Sequence, residues 1–152
     1  MVSLDINDVI REAILLVQRE VLGHGVSLRT ELVAALPPVL GDRIQLQQVV
    51  INLLMNGAEA MASITDRPRE IVIRSQQDEA RQVHVAVRDS GIGIDSKTAE
   101  RLFSAFFTTK PSGMGMGLSI SRSIIRAHGG RLWVSANADH GATFQFTVPT
   151  NG

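Results

Sequence analysis

Residues 45–61 read QLQQVVINLLMNGAEAM, and they set the frame for the rest of the chain. Leu46, Val49, Val50, Leu53, Leu54 and Met61 recur at three- and four-residue steps, which is the period of a helix with one broad apolar face. Gln45, Gln48, Asn52, Asn56 and Glu59 form a polar stripe at the same spacing. A solvated helix face explains the glutamines and Glu59 as well as any task does. The two asparagines are harder to dismiss, because asparagine is only a middling helix former and here two stand one turn apart among leucines. A side-chain carbonyl is a hard oxygen ligand that suits Mg²⁺, an ion that keeps waters and shares phosphate oxygens. The helix is predicted to start near Asp42, a natural cap, and to run to about Ala62.

On the upstream side, residues 5–21 (DINDVIREAILLVQREV) place Ile6, Val9, Ile10, Ala13, Leu16 and Val17 on one helical face, with Asp5 as N-cap. The segment LGHG breaks that helix. Val26, Leu28 and Glu31–Leu32 then suggest a strand closed by Pro37-Pro38. Downstream, residues 70–77 and 82–88 read as two strands around a polar turn at Asp78-Glu79. In the second strand Val83, Val85 and Val87 alternate with His84, Ala86 and Arg88. Residues 95–112 read as a short helix plus loop, and 115–128 as a helix stopped by Gly129-Gly130. RLWVSA and ATFQFTV form a last strand pair around a turn near Asp139–Gly141. Helices and strands are interspersed, so the expected class is α+β: a two-layer α/β sandwich with helices on one sheet face.

A chain of 152 residues fits one domain with a real core. Fifteen basic and fifteen acidic residues cancel, which gives no broad attraction to nucleic acid or to an anionic membrane. The absence of cysteine excludes disulfides, thiolate nucleophiles and cysteine metal sites. The four histidines (24, 84, 128, 140) lack metal-ligand spacing, which argues against zinc. No apolar run approaches the ~20 residues that span a bilayer, and no signal peptide is visible. A cytoplasmic domain with no direct membrane contact is expected.

Three further polar islands follow the asparagine helix. In DSGIGI (89–94), Asp89 ends an apolar strand, and an ionised carboxylate there can accept from the exocyclic amine of adenine. Gly91 and Gly93 would let the backbone come close to the base, although a plain Asp-Gly turn reads the same. In SGMGMGL (112–118), Gly113, Gly115 and Gly117 run straight into a helix, and loop amides plus the positive helix end make a phosphate site. The bland alternative is a flexible loop. This loop is not a P-loop, which ends in Gly-Lys-Ser/Thr. Nor is it the dinucleotide fingerprint, whose third glycine would stand at Leu118. Between the glycine islands lies RLFSAFFTTK (101–110). Phe103, Phe106 and Phe107 read as a small satellite core and also as a lid hinged at Gly113, with Lys110 bringing a positive charge to the phosphates.

On these four boxes the chain resembles the catalytic, ATP-binding domain of two-component sensor histidine kinases, within the GHKL ATPase superfamily. QLQQVVINLLMNGAEAM is similar to the N box, DSGIGI to the first glycine box, LFSAFFTTK to the F box and GMGMGLSIS to the second glycine box. The short FFTTK lid followed at once by the glycine loop is most similar to the oxygen- and nutrient-sensing subgroup. The resemblance spans nearly the whole chain and implies a Bergerat fold: a mixed sheet of about five strands covered by three main helices, with an ATP lid. It also implies ATP and Mg²⁺ as cofactors. Asn56 would contact Mg²⁺, and Asn52 would support the ion or the phosphates. Asp89 would read the adenine amine beside Gly91, Gly93 and Ile94. Phe107 and Lys110 would belong to the lid, and Gly113, Gly115, Gly117 and Leu118 would face the phosphates. Thr143, in GATF, matches a threonine that helps hold the adenine-binding aspartate or its water.

Topoisomerase, mismatch-repair and heat-shock chaperone relatives carry a glutamate one turn before the metal asparagine, as general base on water. Here Asn52 occupies that position and cannot take a proton, so phosphoryl transfer to a nucleophile brought from elsewhere fits better than self-contained ATP hydrolysis. Kinases of this family use a histidine on a separate dimeric helical hairpin. Neither His24, His84 nor His128 stands in such a context. Only about forty residues precede the N box, too few for the hairpin plus the first strand and helix. Residues 1–152 are therefore expected to be a single ATP-binding catalytic domain, a fragment or piece starting at a domain boundary. It is expected to be a monomer that binds ATP·Mg without autophosphorylating. Its expected partners are the phosphoacceptor hairpin of the same kinase and, downstream, a response regulator. Two competing readings share the fold: a serine protein kinase of the anti-sigma-factor type, and a non-catalytic ATP-binding docking module.

Overall fold

The computed structural model describes residues 1–93 and 115–150. The chain runs β1 (Val2–Leu4), α1 (Ile6–Gly23), β2 (Ser27–Leu32), β3 (Val39–Gly41), α2 (Arg43–Ala60), β4 (Glu70–Gln77), β5 (Gln82–Asp89), α3 (Gly115–Ala127), β6 (Arg131–Ala136) and β7 (Ala142–Pro149). Five strands form one sheet in the order β2-β4-β5-β7-β6. β2 pairs parallel with β4 and every other neighbouring pair is antiparallel, so the sheet is mixed. β1 and β3 make a separate antiparallel ribbon.

One face of the sheet carries the helices. α1 contacts β2, α2 lies on β4 and β5, and α3 lies on β6 and β7. The period of two in each strand decides what meets them. Ile71 and Ile73 of β4, Val83, Val85 and Val87 of β5, and Phe144 and Phe146 of β7 all point into this layer and are buried. They meet Val9 and Ile10 of α1, Leu53 and Leu54 of α2, and Ile125 of α3 in one core. The same parity puts Asp89, two residues beyond Val87, on the helix side.

The other face, among the described residues, carries no helix. Arg88, Ala86 and His84 of β5 stand there beside Thr143, Gln145 and Thr147 of β7. Trp133 of β6 joins them opposite Gln145. The Arg131 guanidinium lies 4.7 Å from the centroid of the indole, and the His84 ring is 5.8 Å from it.

The helices begin and end where the sequence places them, to within two residues. Asp5 accepts from the N–H of Asn7 at 2.9 Å, and Asp42 accepts from the N–H of Gln45 at 3.0 Å. After α3, the N–H of Gly129 reaches the Arg126 carbonyl at 3.0 Å and that of Gly130 reaches the Ile125 carbonyl at 2.9 Å. This is the paired bonding of a Schellman cap. His128 adds a tie between helices: Nδ1 donates to the Ile124 carbonyl at 2.8 Å, and Nε2 accepts from the N–H of Asp42 at 3.0 Å.

Two expectations need correction. Leu16 is 62% exposed, and Val21 takes its place in the buried stripe of α1 with Val17. Successive four-residue steps from Val9 through Ala13 to Val17 and Val21 follow the buried face, while Leu16 lies a full 100° off Val17. The three-residue strands β1 and β3 were also not foreseen, because a run that short offers no alternation to detect. The expected helix and loop over 95–112 fall outside the described residues. So do Ile94, Phe103, Phe106, Phe107, Lys110 and Gly113.

Candidate functional site

Asp89 closes β5 and is only 3% exposed. Its Oδ1 accepts from the N–H of Gly91 at 2.9 Å and from the N–H of Ala142 at 3.3 Å. Main chain presses on it from two sides. A Cβ on Gly91 would fall 2.6 Å from the Ala60 carbonyl oxygen at the end of α2. Gly141 has φ of 80°, and a Cβ there would fall 2.2 Å from the Asp89 carbonyl oxygen and 2.7 Å from Oδ1. No L side chain fits at Gly141 without moving Asp89, and none fits at Gly91 without moving the end of α2. Gly93 stands beside Gly141 at the rim of this socket.

The third wall is α2. Gly57 brings the helix close enough that a Cβ would sit 3.6 Å from that of Asp89. Asn56, the preceding residue, is 7% exposed. One turn earlier, Asn52 donates its Nδ2 to the Gly117 carbonyl at 3.2 Å and to the Ser121 hydroxyl at 3.0 Å. Ser121 and Leu118 are buried, so Asn52 laces α2 to the first turns of α3. Gly115 and Gly117 lie in that first turn, where helix N–H groups lack partners within the helix and the dipole is positive. Asp89, Asn56, Asn52, Gly91, Gly93, Gly117 and Leu118 are thus gathered around α2, although they come from segments 65 residues apart, as between Asn52 and Gly117.

Thr143 is not brought to this group. It pairs with Arg88 across the sheet and therefore faces away from Asp89. The strand residue that meets the carboxylate is Ala142, through its N–H. The Thr143 hydroxyl donates to Asn137 Oδ1 at 2.5 Å, and Asn137 Nδ2 donates to the Asp89 carbonyl at 2.9 Å and to the His140 carbonyl at 2.7 Å. Thr143, expected to help hold the aspartate or its water, reaches the Asp89 main chain through Asn137, because the period of two turns adjacent residues to opposite faces.

Asn137, Gly141 and Gly57 escaped sequence reasoning. Gly141 was visible only as part of a turn, and its contact with Asp89 depends on strand register, which the sequence does not display. In the same hairpin loop, the N–H groups of His140 and of Asp139 itself hold the Asp139 carboxyl below the ordinary carboxylate range, with Arg88 adding to the effect. Arg88 Nη2 stands 3.1 Å from it.

The donor set suits an ion shared with phosphate. Among the described residues no group of three or more histidine, aspartate or glutamate side chains could hold a metal alone. Asn56 carries a neutral side-chain oxygen and is itself buried. The Asn52 nitrogen is engaged by α3, so any part it plays toward a cation falls to its oxygen. Among the described residues no helix is long and apolar enough to cross a membrane.

Residues 41–152 match the family described as histidine kinase-, DNA gyrase B-, and HSP90-like ATPase. Sensor protein FixL of Bradyrhizobium diazoefficiens is 48% identical over 126 residues, which covers 83% of this chain and 25% of FixL. The signal transduction histidine-protein kinase AtoS of Escherichia coli (strain K12) is 35% identical over 149 residues, covering 98% of this chain and 24% of AtoS. The nucleotide-free catalytic domain of histidine kinase ThkA superposes with a TM-score of 0.83 at 36% identity, covering 97% of this chain and 94% of that one. Full-length ShkA in complex with AMPPNP superposes with a TM-score of 0.83 at 25% identity, covering 97% and 30%. The chain spans about a quarter of FixL and AtoS, at 25% and 24%.

Proposed function

Since the chain belongs to the histidine kinase-, DNA gyrase B-, and HSP90-like ATPase family and is a histidine kinase catalytic domain by its likeness to ThkA, we propose that residues 1–152 are one nucleotide-binding unit that holds ATP with Mg²⁺ and presents its γ-phosphoryl group to a histidine on a separate dimerisation hairpin. The observation that carries this reading is the socket of Asp89. A buried carboxylate, oriented by two main-chain N–H groups and walled by glycine backbone, is a rigid acceptor for an amine on a flat ring. The exocyclic amine of adenine is such a donor.

From there the remaining parts fall in order. Asn56 would hold Mg²⁺ together with phosphate oxygens, and the ion when bound would neutralise charge on the phosphates. The amides at the start of α3, with Gly115 and Gly117, would receive the phosphates at the positive helix end. Lys110, Phe107, Gly113 and Ile94 would complete the cover. Asn52 ties α2 to α3 and so would set the spacing between Asn56 and the start of α3. None of these groups is a base positioned to activate water, and catalysis by placement and charge suits transfer to an incoming imidazole. The hairpin of the full-length kinase, and then a response regulator, would be the partners. Where the full-length protein resides is a matter for its other segments; the catalytic unit would act in the cytoplasm as a monomer.

Calorimetric titration with a non-hydrolysable ATP analogue, with and without Mg²⁺, tests the reading. Saturable binding strengthened by Mg²⁺ and weakened about tenfold or more in Asp89→Asn supports it. A folded wild type that takes up no analogue refutes it.

A further inference from the structure

Arg67 lies in the loop between α2 and β4, outside every segment assigned above to the nucleotide, yet its guanidinium grips the turn that follows Asp89. Nε donates to the Ser90 carbonyl and Nη2 to the Gly91 carbonyl, each at 2.8 Å. The side chain is 18% exposed, while the neighbouring Asp66, which receives Nη1 at 3.0 Å, is 72% exposed. Ser90 stitches the same loop to the turn from the other direction. Its hydroxyl donates to the Pro68 carbonyl at 2.9 Å and accepts from the N–H of Glu70 at 3.2 Å.

In a trans peptide the C=O and the following N–H point in opposite directions. The Ser90 carbonyl pulled toward Arg67 therefore aims the Gly91 N–H away from it, and that N–H is the one donated to Asp89 Oδ1 at 2.9 Å. The next peptide repeats the arrangement: Gly91 gives its carbonyl to Nη2, and the Ile92 N–H goes to the Ala60 carbonyl at 3.3 Å. Two successive peptides are held at both ends, with a planar cation on one side and the carboxylate and the end of α2 on the other. A cation on the carbonyl oxygens also polarises each peptide and strengthens its N–H as a donor. A guanidinium can address two carbonyls with a fixed fork; an ammonium supplies a single point charge.

We propose that Arg67 is a positioning residue for base recognition: by fixing the 90–91 and 91–92 peptides it sets the direction of the Asp89 carboxylate and with it the preference for adenine over guanine. This rests on the nucleotide reading of the Asp89 socket. Adenine presents a donor where guanine presents a carbonyl, so a carboxylate held rigid repels the wrong base, and one allowed to swing discriminates less.

The test pairs two measurements on wild type, Arg67→Met and Arg67→Lys: affinities for non-hydrolysable ATP and GTP analogues, and amide exchange at Gly91 and Ile92 in the ligand-free chain. Arg67→Met should lose about tenfold in ATP-analogue affinity, as for one charge-assisted hydrogen bond, and the ATP-to-GTP affinity ratio should fall by a similar factor. Exchange at Gly91 should rise by about tenfold with it. Arg67→Lys should fall between, and where Arg67→Met does not fold it carries the test alone with a shift of about threefold. A folded variant that keeps the wild-type base ratio, or a Gly91 amide as protected as before, overturns the role. Wild type that binds neither analogue overturns the adenine reading and this role together, whereas wild-type binding with an unaltered variant overturns this role alone.

Discussion

Asp89 owes its burial to parity, two residues along from Val87 on a strand whose odd-numbered side is apolar, and its direction to two N–H donors. Replacing one carboxylate oxygen by an amide nitrogen turns an acceptor into a donor at an amine. Asp89→Asn should weaken the ATP analogue by about 1.5–3 kcal/mol, read calorimetrically, which is the range for hydrogen bonds to charged groups. Gly141→Ala should destabilise the fold by about 2 kcal/mol or more in chemical denaturation, since the new Cβ meets the Asp89 carbonyl in a left-handed backbone. Gly23→Ala is the matched control: nothing lies within 4 Å of a Cβ there, and its cost should be zero or favourable. Equal effects at the two glycines would mean that the socket is not crowded.

Between elements, the contact that matters most for the site is the Asn52 bridge from α2 to α3. Asn52→Asp would set a carboxylate against the Gly117 carbonyl in place of a donor, and should cost about 1–3 kcal/mol of stability, seen as a lowered unfolding midpoint. Asn52→Asp regaining wild-type stability would show that the bridge contributes nothing. On α1, Ile10→Ala should cost about 2–5 kcal/mol and Leu16→Ala within about 0.5 kcal/mol, because one residue is fully buried and the other is not. At this scale the sequence was informative. Period and caps located α1, α2, α3 and the five strands of the sheet, since each has enough residues to show its repeat. What period does not carry is pairing. The route from Thr143 to Asp89, the parts played by Asn137 and Gly141, and the grip of Arg67 all depend on which strands and loops become neighbours, and those residues carry no local pattern that announces it.

In the proposed division of labour the acceptor histidine comes from outside this chain, and two of the described histidines already have bonding partners. His128 has both ring nitrogens bonded between α2 and α3. His84 stands on the sheet face away from the helices, with Gln76 and Gln145 at its two nitrogens. Incubated alone with radiolabelled ATP and Mg²⁺, the chain should gain no acid-labile phosphate. Label appearing on a dimerisation hairpin supplied in trans would place the acceptor there, and label on the chain itself would overturn the division of labour.

The sheet face that carries no helix among the described residues has a spectroscopic consequence. Trp133 is the chain's one tryptophan and there is no tyrosine, so near-ultraviolet emission comes from a single indole. That ring stands across the sheet from Asp89, with Arg131 and His84 for company. Its fluorescence is a clean reporter of the sheet edge coming apart in denaturant, and a nucleotide entering between the helices should leave its colour and intensity where they were.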